Sequence, residues 1–385
     1  MADDVRDPSA GRPASSAGLP APGAPKPPLS PGAVVLRLGV IGAVVLCSAA
    51  AFAYTGGWLS PGRLGQKQII AGFDQTDGVH PGFRRNHAKG ICATGWFESN
   101  GNAVPFSKAA LFAPGRVPVV ARIAFAGGLP FVPDAPDLVR SLALRFQPAG
   151  AGEWRTGMLN IPVFPFTTAE AFHDQMLAFA PDAATGKPDP AKMGGFVGTH
   201  PEFLAAVGII KARAVSSGFA DAAYHALHTF HFINAAGTVT PVKWSTVPML
   251  PFTAPGTAPV TDKNALFDGF IGQVNARPVQ WRLMVTIGQP GDPVSPNLPW
   301  PADRKQIDAG MVTLDHVASE DGGGPCIDVN YDPLVLPSGI EASDDPLLSA
   351  RSSAYARSFK LREGEHAEKP PSAVTPAEVA AGGRS

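Results

Sequence analysis

Arg351 and Tyr355 stand four residues apart, shortly after Asp344, Asp345 and Pro346. Acidic residues followed by proline make a good helix start, and a spacing of four puts two side chains on one helix face. A guanidinium beside a phenol favours the phenolate through charge and hydrogen bonding. Phenolate is a hard anionic ligand able to hold ferric iron. An Arg and a Tyr at this spacing also make an ordinary packing pair, so the motif needs company. A second group is His87, flanked by Arg84, Arg85, Asn86 and Lys89. A neutral imidazole takes a proton from one atom and returns it to another near neutral pH. Cleaving a peroxide on iron requires that transfer, from the inner oxygen to the outer one. A lone histidine before a strand also serves as a purely structural residue.

The elements that must position these groups follow from periodicity. Residues 91–98, 117–125, 142–146, 228–234, 239–245 and 280–288 read as strands by alternation and β-branched content. Residues 235–238 read as the turn of a hairpin between two of them. Helical spacing appears at 169–179, 201–216 and 346–362. Strands precede or bracket helices, which gives an α+β class with an antiparallel sheet, long enough to close into a barrel. The chain has 385 residues, 42 glycines and 41 prolines, the mark of a loop-rich domain and not of a helical bundle. Its net charge of −1 gives no reason to expect nucleic acid as a partner.

The ends read differently. Residues 1–33 are rich in Pro, Ala, Gly and Ser and read as a disordered cytoplasmic tail. Residues 34–59 read as a transmembrane anchor, with an uncharged run from Leu38 to Leu59 long enough to cross a bilayer and Trp58 at its far end. Arg12, Lys26 and Arg37 precede it, which places the N-terminus in the cytoplasm and the globular part on the periplasmic side of the cell membrane. A cleaved signal peptide is the alternative, since Ala51-Phe52-Ala53 would suit cleavage. Residues 60–73 read as a linker opening with a short helix, 74–362 as one domain and 363–385 as a disordered tail. Cys92 and Cys326 either pair in an oxidising compartment or stay as buried thiols, and with Cys47 they fit no metal-site spacing.

The segment His87-Ala88-Lys89-Gly90 and the pair Arg351 and Tyr355 resemble the distal and proximal motifs of haem catalases. The likeness is closer to their small relatives, the catalase-related peroxidases. It extends through residues 118–122, 140–146, 160–164, 228–230, 332–333 and 337–340 in family order, over about three-quarters of the chain. The resemblance implies a catalase-like core of antiparallel barrel, surrounding helices and wrapping loops. It implies haem, of the iron-protoporphyrin b type, held by Tyr355 as iron ligand with Arg351 keeping that ligand ionised. His87 and Asn160 would be the catalytic pair, as acid–base group and peroxide-orienting amide. Arg84, Arg122 and Arg362 would hold the haem propionates, and Phe172 would pack on the distal face. Ala124 departs from a family serine that bonds the distal histidine, which predicts a less firmly oriented His87. Asn86 replaces an apolar residue, and Pro165 an aromatic one, which predicts a more polar or open pocket. The activity implied is peroxidase, reducing organic peroxides and hydrogen peroxide with a small organic reductant. Catalase disproportionation, a non-catalytic haem-binding protein and rearrangement of a fatty-acid hydroperoxide are the alternatives. With the later segments of large catalases missing, a monomer or dimer is expected.

Overall fold

A computed structural model describes residues 29–55, 64–257, 260 and 262–382. The chain divides into two units, residues 1–63 and 64–385. Of the first unit the structure describes chiefly one helix, α1 (Pro31–Thr55), 25 residues long with mean hydropathy 2.2. It meets the length and composition of a membrane span, as a signal sequence also does. Residues 1–28, Trp58 and the first residues of the expected linker lie outside the described residues.

The second unit is built on strands β1 (Gly90–Ser99), β2 (Gly115–Phe125), β3 (Arg140–Phe146), β4 (Trp154–Leu159) and β5 (Tyr224–His225). After them come β6 (Phe230–Ile233), β7 (Val239–Pro248), β8 (Val279–Ile287), β9 (Gln306–Ala318) and β10 (Ile340–Ala342). All pairings are antiparallel, and the ring β1–β2–β3–β4–β5–β7–β8–β9 closes where β9 returns to β1. The hairpin β6–β7 and the short β10 extend it. Closure leaves the ring without a free edge. The helices are α2 (Gln66–Asp77), α3 (Ala169–Phe179), α4 (Pro190–Thr199), α5 (Pro201–Lys211), α6 (Ala265–Ala276), α7 (Pro346–Gly364) and α8 (Pro376–Ala380).

Alternation divides the strands into two faces. Val119, Ala121, Ile123 and Phe125 of β2, Leu142, Leu144 and Phe146 of β3, and Trp154 and Met158 of β4 join one buried cluster with Trp244, Trp281 and Leu314. That cluster fills the barrel. The opposite face of the same strands carries Arg122, Ser141, Ala143, Gly157 and Leu159, which line a cavity. Residues Cys92, Arg122, Ala143 and Gly157 are register partners from strand to strand, so one row across β1–β4 forms part of the floor of the site.

Two expectations are corrected and one open alternative is decided. The linker of residues 60–73 is largely helix α2, whose Ile69 and Ile70 are buried, because its apolar side has α3 and α7 to pack against. The tail of residues 363–385 is not frayed over its described part. Lys369 and Ser372 both bond Asp321, and Val374 is buried, so side-chain contacts offset the cost of ordering it. Of the two states open to Cys92 and Cys326, the structure has the disulfide, closing a separation of 234 residues.

Candidate active site

The cavity measures about 390 Å³ and lies on the outer face of β2–β4, under α2, α3 and α7. Its walls are mostly apolar: Ile69, Ile70 and Phe73 from α2, Phe164 and Pro165 from a loop, Phe172 and Met176 from α3. Phe172 meets Phe73, Phe164 and Phe166 in edge-on or tilted contacts, so it belongs to a small aromatic cluster as well as to the wall.

His87 stands at one side of this space, in the turn that leads into β1. Its φ of 58° makes it the only non-glycine residue in the left-handed region among the described residues. Its Nδ1 lies 3.1 Å from the carbonyl oxygen of Phe125. A carbonyl only accepts, so Nδ1 carries the proton and Nε2 keeps the lone pair. The expectation of a loosely oriented imidazole therefore fails: Ala124 brings no hydroxyl, but the next backbone carbonyl takes its place. Burial, then the charges of Arg122 and Arg351, hold the imidazole well below the usual histidine range, at about 3. His87 is thus neutral throughout the ordinary pH range.

Helix α7 supplies the facing groups. Asp345 caps it, accepting from Leu347 N, and Pro346 occupies its first turn. Arg351 Nη2 donates to Tyr355 Oη at 3.4 Å, a long bond, with the guanidinium 5.8 Å from the ring centre. The helix is tied down by Ser352 Oγ donating to Asp332 at 2.7 Å. A Cβ on Gly157 would lie 3.6 Å from Tyr355 Oη, so the phenol reaches towards the small residues of the strand row.

Positive charge gathers at another side. Arg122 donates through Nε and Nη2 to Glu320 at 2.9 and 2.8 Å, and through Nη1 to His87 O at 2.7 Å. Gly90 is needed here, since a Cβ would fall 2.7 Å from the carbonyl oxygen of Ile123 and 2.6 Å from Arg122 Nη2. Arg84 donates to the carbonyls of Cys326 and Val329 and lies 3.7 Å from Glu320. Burial, then the Arg122 charge, push the Arg84 guanidinium down to about 9. Burial raises the Glu320 carboxyl, but the charge and hydrogen bonds of Arg122 outweigh it and leave the group below its usual range. Arg362, also lining the cavity, has Nη2 buried without a hydrogen-bond partner, as has Nε of Arg84.

The cavity thus gathers His87, Arg84, Arg122, Arg351, Tyr355, Arg362 and Phe172. Asn160 is placed differently. Its neighbours Leu159 and Ile161 line the cavity, whereas its own Oδ1 accepts from Arg140 N at 2.7 Å. Sequence reasoning passed over His228, a lining residue whose Nδ1 is 2.7 Å from Asp345 Oδ2. Burial pushes that imidazole down to about 4 against the pull of Asp345. The stretch 228–230 falls in family order, but nothing local marks a histidine that meets its carboxylate 117 residues away. Glu320 and Tyr331 were missed for the same reason.

Residues 75–262 match the protein family described as Catalase. The chain is 38% identical over 303 residues to a protein named catalase-related peroxidase from Synechococcus elongatus, covering 77% of this chain and 88% of that one. The chain belongs to the catalase family. Within it the chain falls among the catalase-related peroxidases: the protein of that name from Mycolicibacterium paratuberculosis is 30% identical, with 80% of this chain and 99% of that one aligned. Mouse catalase is 25% identical over 72% of this chain but only 56% of its own length. A solved bacterial catalase shares the fold, with a TM-score of 0.67 at 23% identity over 74% of this chain and 58% of that one. This protein is accordingly an oxidoreductase of the peroxidase type with a catalase-like barrel.

The family implies a haem cofactor, and the residues present fit one. Apolar walls suit a flat macrocycle. The buried carboxylate of Glu320 faces the charges of Arg84, Arg122 and Arg362, a cluster of cations suited to the carboxylates of a haem. Arg362 Nη2, and Arg84 Nε, which lies 3.7 Å from Glu320 without a hydrogen bond, give those carboxylates donors to meet.

Proposed function

We propose that this protein is a haem b peroxidase that reduces organic peroxides and hydrogen peroxide at the expense of a small organic donor, working at a membrane surface. The observation that carries the reading is one cavity holding together a neutral imidazole, an Arg–Tyr pair and buried arginines with nitrogens left without a hydrogen bond. Haem, when bound, supplies the iron that accepts the peroxide and carries its two oxidising equivalents to the donor.

The residues do the rest. Tyr355 is the iron ligand, and Arg351 supplies positive charge beside its oxygen. Arg84, Arg122 and Arg362 hold the propionates. His87 Nε2, free because Nδ1 is committed to Phe125 O, takes the proton from the inner peroxide oxygen and hands it to the outer one. Being neutral, His87 is ready to accept without first losing a proton. Asn160, with Oδ1 pinned by Arg140 N, keeps its amide NH₂ for the leaving oxygen. The apolar walls exclude water and suit organic peroxides. The helix of residues 31–55 anchors the chain, with the catalytic unit on the periplasmic side, and the Cys92–Cys326 disulfide accords with an oxidising compartment.

The test is the absorption spectrum of the purified haem-loaded protein, beside Tyr355→Phe and His87→Ala. Tyr355→Phe should change the ferric spectrum by removing the ligand. His87→Ala should keep it and slow the reaction with peroxide by about 10²- to 10⁴-fold. Donor oxidation without oxygen evolution distinguishes the peroxidase from a catalase. An unchanged Tyr355→Phe spectrum refutes the ligand assignment.

A further inference from the structure

We propose that Asn86 is the positioning residue of the acid–base group, holding His87 in the one backbone conformation that presents Nε2 to the cavity. The proposal rests on the reading of His87 as the proton carrier. Its starting point is the φ of 58° at His87. A non-glycine residue persists there only when its surroundings over-determine it.

Those surroundings can be traced. Asn86 Oδ1 accepts from His87 N at 2.9 Å and from Gly127 N at 2.8 Å. One side-chain oxygen thus joins the His87 turn to the chain leaving β2. Ala88 N donates to Gly127 O at 2.9 Å, closing the same junction from the other side. Arg122 Nη1 holds His87 O at 2.7 Å, and Phe125 O holds the imidazole Nδ1 at 3.1 Å. The amide nitrogen, carbonyl and ring of His87 are therefore each fixed, and Asn86 alone fixes the nitrogen. Both partners of Asn86 are donors, so its amide oxygen faces them and the orientation of the side chain is determined. An apolar side chain here would leave the N–H groups of His87 and Gly127 without that acceptor. The left-handed turn would lose the bond that opposes its relaxation. The ring would then swing away from Phe125 O, and both tautomers would become accessible.

Asn86→Leu removes the acceptor at similar volume, and Asn86→Asp keeps it. The full-length chain is loaded with gallium(III) protoporphyrin, a diamagnetic stand-in for haem, and the ¹⁵N-labelled imidazole of His87 is observed by NMR, assigned with His87→Gln. Wild type and Asn86→Asp should show one Nδ1-protonated form. Asn86→Leu should show both tautomers in exchange. In the haem-loaded chain Asn86→Leu should slow the reaction with peroxide on the order of ten- to a hundredfold at unchanged haem content, and Asn86→Asp should recover most of it. A single Nδ1-protonated form in Asn86→Leu overturns the proposal. If Asn86→Leu does not fold, Asn86→Asp decides: loss of the single tautomer there, with the porphyrin bound, overturns it equally. Failure of the wild-type chain to take up the porphyrin is a different result, and refutes the haem reading on which the proposal stands.

Discussion

Replacing Cys92 and Cys326 together by alanine should destabilise the folded unit by several kilocalories per mole. The bond spans a separation of 234 residues. In the chain-entropy treatment a loop of that length lowers the unfolded-state entropy by an amount worth about 5 kcal/mol at 25 °C, an upper figure because real unfolded chains are compact. A measured loss of roughly 2–5 kcal/mol is expected. Spread over the unfolding entropy of a unit this size, that is a fall in Tm of very roughly 3–7 °C. The assay is urea unfolding followed by tryptophan fluorescence, since Trp154, Trp244 and Trp281 are fully buried. Thiol counting on the denatured chain is the companion measurement. With three cysteines in the sequence and Cys47 free, it should give one thiol before reduction and three after. The bond also fixes the segment whose carbonyls hold Arg84, so the double variant should release haem faster. Three thiols before reduction, or a loss below about 1 kcal/mol, would refute the reasoning.

Other perturbations have equally definite outcomes. His87 and His228 sit at about 3 and about 4, below the unfolded value of 6.5. The unfolded chain therefore binds protons that the folded chain refuses. Stability from this source is complete above about pH 6.5 and falls towards those values, by roughly 1.4 kcal/mol per pH unit for each histidine. His228→Gln should make the decline of the urea midpoint between pH 7 and 4.5 shallower, and an identical slope would exclude the linkage. Lys89 Nζ bonds Asp134 and the carbonyls of Val132 and Lys263 in a buried site. Lys89→Met should cost about 3–5 kcal/mol by stranding the carboxylate, and adding Asp134→Asn should recover part of it in the same unfolding assay. Arg362→Leu removes a buried guanidinium whose Nη2 has no hydrogen-bond partner, so it should lower the urea midpoint less than Lys89→Met does. Transfer of haem to an acceptor protein should nevertheless speed up about tenfold or more, the worth of one charge-assisted bond.

The strands and helices with strong local patterns were legible from residue types. Residues 117–125 and 169–179 carry their β-branched run and their helical spacing within themselves, and they became β2 and α3. The helix start at Asp345 and Pro346 was equally plain. What sequence reasoning missed depends on partners far along the chain. Strand β9, with 13 residues the longest, has a glycine in its middle, and its register is set by β1 and β8. Helix α2 has a mixed composition and is fixed by what covers it. The site divides in the same way. His87, Arg351 and Tyr355 stand in compact motifs. Glu320, His228 and the carbonyl of Phe125 matter only through contacts that spacing does not record. The loose His87 expected from Ala124 was an inference from one missing hydroxyl, and it overlooked the backbone carbonyl next door.

Helix α7 carries Asp345 at its cap and Arg351, Tyr355 and Arg362 along 19 continuous residues. Their mutual placement is therefore set by the pitch of one rod and needs no loop to hold it. One residue inserted between Tyr355 and Arg362 would swing Arg362 about 100° around the axis, and a loss there would do the reverse. Point changes on the outer side of the rod are tolerable, whereas any change in its count is not. The number of residues from Arg351 to Arg362 therefore matters more to the site than the identity of those on the outer side.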